Sequence, residues 1–278
     1  MAVTEAPADL IATGLTWQSR LAAMLRRYLP AILILPSGLI LWELGVRLFN
    51  IQGFLLPAPS EIAQTFAESW VGLLDRGWYT FQEAWWGYLI GCGLGILIGL
   101  LVSRFATISA ALMPIAIAVN AVPIIALSPL VRVWFGLGQP SKIVIVAILC
   151  FFPCLISTVR GLSVAAPAAV ELMRSYATPE LEVFVKLRLP SALPFIFNGL
   201  KVCTSLSMIG AVVGEFYGGL LNKSLGTFIA NEASQVRFRS SWSGIIVACA
   251  FGIAFYLLVG LCERLLIPWH VSVRSQAD

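Results

Sequence analysis

Charged side chains are scarce in this chain, and a dense group of them lies between Glu171 and Pro190. Both acidic and basic residues occur there, and long apolar runs flank the group on both sides. Side chains arranged in this way can form charge pairs with one another or with the surface of another protein. A polar insert of this size is too short to be a domain. We therefore expect it to project from a membrane and to bind a soluble partner.

A few polar side chains lie within the apolar runs. Glu215 is one of them, and a carboxylate at that depth is costly unless it is paired or hydrated. We expect either a structural ion pair, with Arg132 as candidate partner, or a contact with cargo close to Tyr217. Asn120 and Arg132 lie in a proline-interrupted run. Such a broken helix either lines a pathway or is kinked without touching cargo.

Several kinds of catalytic site are excluded by the residues present. There is one histidine, His270, and no GxxxxGK[ST] or HExxH sequence occurs. ATP hydrolysis by this chain and Ser-His-Asp chemistry are therefore not expected. Cys150 and Cys154 have helical spacing, but no histidine or carboxylate lies near them in the sequence. We therefore predict packing roles for the cysteines and no metal site.

The composition predicts an all-α membrane protein. Of the 278 residues, 59% are hydrophobic and 12% are charged, about half the charge of a soluble domain. Six apolar runs are long enough to cross about 30 Å of hydrocarbon as helices. A short amphipathic surface helix is expected after the first run, with Ser60 as its N-cap. The runs are residues 29–49, 80–103, 109–135, 139–160, 189–217 and 242–266.

Six spans place both termini on one side of the membrane. Of the lysines and arginines assigned to a loop or tail, ten lie on the terminal side and seven on the other. The positive-inside rule then predicts that the termini are cytosolic, together with the loop at about residues 161–189. The expected organisation is a cytosolic tail (1–28), a single transmembrane domain (29–270) and a second cytosolic tail (271–278).

The charged insert is predicted to form two helices. Pro167 suits the first position of one helix, whereas Thr178 and Pro179 suit the N-cap and first position of the other. Leu181, Phe184 and Val185 would form an apolar stripe, with Pro190 closing the element and beginning the next span.

Small residues mark one face of the second run. Gly87, Gly91, Gly95 and Gly99 repeat every four residues, a spacing that lets helix backbones approach closely. We expect helix packing, either within the subunit or across a dimer.

The charged insert resembles the cytosolic signature loop of ABC importer permeases. That loop has an acidic start, a glycine some residues later and a closing Leu-Pro, and Glu171 and Pro190 match its two ends. Ala177 occupies the glycine position. If a positive φ is needed there, alanine costs about 1 kcal/mol relative to glycine. Otherwise the turn has another conformation or the register shifts by one residue.

Four further segments are similar to the nitrate, sulfonate and taurine subfamily of these permeases. They are LLPAPSEI (55–62), NAVPIIALSPLVRVWFGLG (120–138), VVGEFYGG (212–219) and ERLLIPWH (263–270).

The resemblance implies a type I ABC importer permease fold in the inner or plasma membrane. The loop would dock in a groove of a separate ATPase subunit, with Glu171, Arg174, Ala177, Glu180 and Pro190 as its residues. That subunit would use ATP and Mg²⁺, and this chain would bind no cofactor. A solute-binding protein would deliver cargo, and a second permease copy, identical or related, would complete the pathway.

The cargo implied by the subfamily is a small solute. It is a sulfonate-like or nitrate-like anion, or a pyrimidine-like or riboflavin-like vitamin or precursor. The alternative to an importer is an ion-coupled secondary transporter, for which Glu215 is the candidate coupling carboxylate. A membrane enzyme or scaffold is a weaker alternative.

Overall fold

A computed structural model describes residues 33–34, 36–216 and 223–268. These residues form helices joined by short loops, and none of them is in a strand. The predicted tails, as well as Tyr217 and His270, lie outside this part of the chain. The chain divides into two units, residues 1–63 and 64–278.

The first unit contains helix α1, residues 36–48, and the beginning of α2. The Glu43 carboxylate joins them, since Oε2 accepts the Ser60 amide at 3.0 Å and Oε1 accepts the Ser60 hydroxyl at 2.8 Å. Arg47 Nε donates to the same carboxylate at 2.6 Å. A negative charge at this position stabilises the positive end of the α2 dipole.

The prediction of a separate surface helix capped by Ser60 is wrong. Helix α2 runs without a break from Pro59 to Ser103, and Ser60 lies inside its first turn. No glycine or proline occurs between Glu61 and Gly72 to stop the helix. At 45 residues, α2 is about 67 Å long, more than twice the hydrocarbon thickness.

Four helices in the described part of the chain are long and apolar enough to cross a membrane. They contain the predicted second, fourth, fifth and sixth runs, and part of the first run lies outside the described residues. The four are α2, α5 (Gln139–Ser163), the continuous helix Glu180–Phe216, and α10 (Phe238–Leu266).

The predicted third run is broken, as its prolines indicated. It forms α3 (Ala106–Asn120), a short 3₁₀ helix (Ile124–Leu127) and α4 (Ser128–Phe135). Pro123 precedes the 3₁₀ helix and Pro129 lies in the first turn of α4, where a missing amide hydrogen costs little.

Two short helices form the charged insert, α6 (Pro167–Ser175) and α7 (Glu180–Val183). A π-helical turn, Phe184–Arg188, then leads into α8 (Leu189–Phe216). Pro190 therefore does not close the element, because the helix continues through it. The wider turn, in which the Leu189 amide donates to the Phe184 carbonyl, comes where proline lacks an amide hydrogen.

The last helices of the second unit are α9 (Leu225–Ser234) and α10. Leu225 and Ile229 of α9 are buried with Leu73 and Val247. The main core lies between α2, α5, α8 and α10, where the Phe255 ring meets Phe81, Trp85 and Tyr88 at centroid distances of 5.4, 5.4 and 4.8 Å. Aromatic pairs at these distances stabilise a core beyond their buried area.

Candidate functional site

The charged insert folds as a helical hairpin held by its own ion pair. Arg174 near the end of α6 donates from Nε and Nη2 to Oε1 of Glu180, the first residue of α7, at 3.0 and 2.8 Å. Both side chains are about half exposed, so the pair contributes less than about 1 kcal/mol to stability. The pair links the end of α6 to the start of α7.

Ala177 makes the turn between these helices with a φ of +53°. Its amide donates to the Arg174 carbonyl at 2.9 Å, and the Thr178 amide donates to the Met173 carbonyl at 3.2 Å. These two bonds form a Schellman motif, in which the residue at Ala177's position is usually glycine. The left-handed conformation thus occurs in the register that the sequence suggested.

The second helix of the hairpin begins one residue later than predicted. Pro179 is the N-cap of α7, and its carbonyl accepts the Glu182 and Val183 amides at 2.9 and 3.1 Å. The N-cap makes no side-chain hydrogen bond, so Thr178 does not have the capping role expected of it.

The hairpin presents large apolar side chains to its surroundings. Leu172, Tyr176 and Leu181 are 58%, 78% and 74% exposed, next to the exposed Glu171. The predicted stripe divides between two faces, because Phe184 packs inward whereas Leu181 and Val185 point outward. The outward set forms a mixed apolar and charged surface.

A second polar cluster is buried within the helices. Glu215 of α8 is fully buried, and its Oε2 accepts the Gly226 amide of α9 at 2.6 Å. Thr80 of α2 donates to Oε1 of Glu215 at 2.8 Å and accepts the Leu225 amide at 2.9 Å. The carboxylate thus lies at the positive end of α9, where a negative charge is stabilised.

Glu83 and Lys142 form a buried ion pair in the same region. Glu83 Oε1 lies 3.3 Å from Lys142 Nζ, and neither side chain is more than 6% exposed. Glu83 Oε2 accepts no hydrogen bond from the residues that the structure describes. Both side chains therefore lie inside the protein.

Residues 91–268 match the family of binding-protein-dependent transport system inner membrane components. The chain belongs to this family. Its members are permease subunits of transporters and are not enzymes themselves. The chain is therefore a membrane-embedded, multi-pass permease.

Curated relatives cover most of the permease. It is 30% identical to the riboflavin transport system permease protein RibX of Chloroflexus aurantiacus, over 88% of this chain and 90% of the relative. It is 29% identical to the formylaminopyrimidine transport permease protein ThiX of Halalkalibacterium halodurans, over 84% and 92%. The nitrate import permease protein NrtB of Leptolyngbya laminosa is 28% identical, over 74% and 78%.

A solved structure has the same fold. The crystal structure of an amino acid ABC transporter with histidines matches 73% of the permease and 98% of its own chain, with a TM-score of 0.58 and 17% identity. The helical architecture is therefore that of an ABC transporter permease.

Among the candidate pathway residues that the structure describes, Arg132 contacts the main chain beside Glu215. Arg132 Nη2 donates to the carbonyl of Gly214, next to Glu215, at 3.2 Å. Asn120 is exposed at the end of α3, and Tyr217 lies outside the described residues. Sequence reasoning missed Thr80 and Lys142, which the fold brings to the two buried carboxylates. The signal available for Lys142 was a charged residue in the first turn of an apolar run.

Four glycines of α2, those spaced every four residues from Gly87 to Gly99, lie against α5 of the same subunit. A Cβ atom at Gly95 would lie 2.7 Å from the Phe151 carbonyl oxygen, and one at Gly99 would lie 2.8 Å from Thr158 Cβ. Cβ atoms at Gly87 and Gly91 would overlap Val146 and Ala147. The glycine face therefore packs within the chain.

Buried cysteines come together on three helices of the permease. The Sγ atoms of Cys92, Cys150 and Cys203 all lie within 4.8 Å of one another, and Cys154 is buried one turn from Cys150. Sequence patterns do not indicate this cluster, because Cys92 and Cys203 are more than fifty residues from Cys150. The prediction of no metal site considered only neighbours in the sequence.

Proposed function

We propose that this permease is the membrane-spanning subunit of an ATP-driven importer, and that α6 and α7 dock in a separate ATPase subunit. The observation that carries the proposal is the hairpin with exposed Leu172, Tyr176 and Leu181. Three large apolar side chains in a loop beyond the spans are costly in water, and a protein partner that covers them removes this cost.

The packing beneath the hairpin supports a role in coupling. Val183 is fully buried, and Phe184 packs against Leu162 of α5 and against Ala192 and Ile196 of α8. A force applied to α7 by a closing ATPase dimer would therefore act on two spans together. The Arg174–Glu180 pair would keep α6 and α7 moving as one body.

The remaining assembly follows from this role. Two permease copies, the same or related, would form the pathway, and the partner ATPases would use ATP and Mg²⁺. A solute-binding protein would deliver cargo on the opposite side of the membrane. The docking hairpin and both termini would then be cytoplasmic, in agreement with the distribution of lysine and arginine.

The proposed cargo is a small solute. The relatives transport riboflavin, formylaminopyrimidine and nitrate by their names, so the range includes an aromatic vitamin or precursor and a small anion. In this structure the buried Glu215 binds the end of α9, which supports a structural role for it. Asn120, Arg132 and Tyr217 remain candidates for the pathway.

The docking role can be tested in proteoliposomes with the ATPase subunit and binding protein that co-purify with the permease. We expect Glu171→Ala and Arg174→Ala to lower cargo-stimulated ATP hydrolysis and uptake severalfold, because each removes a polar group from the docking surface. Lys223→Ala is the control, since Lys223 is exposed and lies close to α9, far along the chain from the hairpin.

A further variant separates direct contact from hairpin geometry. If Arg174 acts only by fixing α7, Glu180→Gln will reproduce the defect of Arg174→Ala. If Arg174 contacts the ATPase directly, Glu180→Gln will be milder. Normal uptake in both Glu171→Ala and Arg174→Ala, at unchanged membrane levels, would overturn the docking role.

A further inference from the structure

The buried cysteines occupy the centre of the helix packing. Cys92 is on α2, Cys150 on α5 and Cys203 on α8, and their exposed fractions are 3%, 0% and 0%. Cys154 is buried as well, and the remaining two cysteines, Cys249 and Cys262 on α10, are exposed.

Two of the three thiols make weak hydrogen bonds to main-chain carbonyls. Cys150 Sγ donates to the Cys203 carbonyl at 3.5 Å, and Cys203 Sγ donates to the Cys150 carbonyl at 3.3 Å. These carbonyls belong to helices, where main-chain amides also donate to them. Loss of the thiol protons would therefore leave no buried acceptor unsatisfied.

The spacing of the sulfur atoms suits a three-coordinate metal ion. With metal–sulfur bonds of about 2.3 Å, a trigonal site has sulfur atoms about 4 Å apart. The observed limit of 4.8 Å requires a contraction of less than about 1 Å, which small side-chain rotations can supply. Thiol ligands favour soft metal ions over hard ones.

The apolar surroundings determine the charge of the ion. The cost of burying net charge in a medium of low polarity rises with that charge. A metal-bound cysteine is a thiolate, so a divalent ion held by the three cysteines leaves one net negative charge, and the three displaced protons pass to solvent. A monovalent ion held by the same three thiolates would leave two negative charges, so a divalent ion is favoured.

We propose that Cys92, Cys150 and Cys203 form a trigonal sulfur site for one soft divalent d¹⁰ cation. The bound ion links α2, α5 and α8, and it opposes relative movement of these helices. Soft divalent cations would therefore inhibit transport by this permease from inside its helix core.

The test uses the full-length chain in detergent, incubated at length with Cd²⁺ and then freed of excess metal. We expect about one bound cadmium per chain by elemental analysis, sulfur-to-cadmium charge-transfer absorption and a higher melting temperature. Cys203→Ser and Cys92→Ser should each lose the bound ion while retaining helical circular dichroism. The double variant Cys249→Ser/Cys262→Ser is the matched control and should bind as much cadmium as the natural chain does.

Two results would overturn the proposal. One is a folded natural chain that retains no cadmium, and the other is bound cadmium that disappears in Cys249→Ser/Cys262→Ser but remains in Cys203→Ser. Because the isolated chain is used, neither result depends on the ATPase partner or on the direction of transport.

Discussion

Two helix ends in this permease place unfavourable residues in the left-handed conformation. Ala177 ends α6 with a φ of +53°, and Val236 follows α9 with a φ of +62°. The bonds around Val236 repeat the pattern at Ala177, since its amide donates to the Ala233 carbonyl and the Arg237 amide to the Glu232 carbonyl. A β-branched residue is less suited to this conformation than alanine.

Glycine at either position should stabilise the permease. We expect Ala177→Gly to raise the free energy of unfolding by about 1 kcal/mol and Val236→Gly by about 1–2 kcal/mol, because glycine adopts positive φ without steric cost. Unfolding of the purified chain in mixed detergent micelles measures both. Ala67→Gly, at an exposed position inside α2, should lower stability by about 1 kcal/mol. Equal effects at all three sites would contradict the conformational explanation.

The Glu83–Lys142 pair has a second consequence at the residue scale. Lys142→Met should destabilise the permease by about 3–5 kcal/mol, because it leaves a buried carboxylate without its counter-ion. The double variant Lys142→Met/Glu83→Gln should recover much of this loss, since no uncompensated charge remains. Thermal unfolding of the three proteins checks the prediction. The exposed Glu68→Gln on α2 serves as control, and a double variant no more stable than Lys142→Met would contradict the pairing.

At the scale of elements, the close contact between α2 and α5 depends on glycines, which have no side chain to separate the helices. Gly91 lies against the Ala147 backbone, which cannot rotate away as a side chain can. We expect Gly91→Ala to cost about 1–3 kcal/mol, because the added methyl group separates the helices. Gly93→Ala is the matched control, since a Cβ there meets nothing within 4 Å.

The same pair of variants also reports on function. Separation of α2 from α5 should reduce uptake in proteoliposomes along with stability, whereas Gly93→Ala should leave both near their natural values. A Gly91→Ala protein as stable as the natural one would show that the helices can separate without cost.

At the scale of the whole molecule, the apolar runs predicted the membrane-spanning segments well but not the ends of the helices. A hydrophobic run identifies the part of a helix that lies in lipid. It does not indicate how far the helix continues beyond the bilayer, so the extension of α2 back to Pro59 was missed. Likewise, Pro190 was expected to interrupt a helix that the π turn allows to continue.

The buried polar cluster was only partly predictable for a different reason. Glu215 was recognised because a carboxylate in an apolar run needs a partner. Its actual partners, Thr80 and the Gly226 amide, come from α2 and α9. Thr80 lies 135 residues from Glu215, so only the fold brings the two together. The cysteine cluster was missed for the same reason.

The helix from Glu180 to Phe216 is continuous, so a movement at its first residues is transmitted to its last. This helix has 37 residues, so it is about 55 Å long. A tilt of about 5° pivoting at one end would displace the other by about 5 Å over that length. Such a displacement at Glu215 exceeds the reach of its hydrogen bonds to Thr80 and Gly226. A small rotation at the hairpin would thus be enough to release α9 at the other end of this helix.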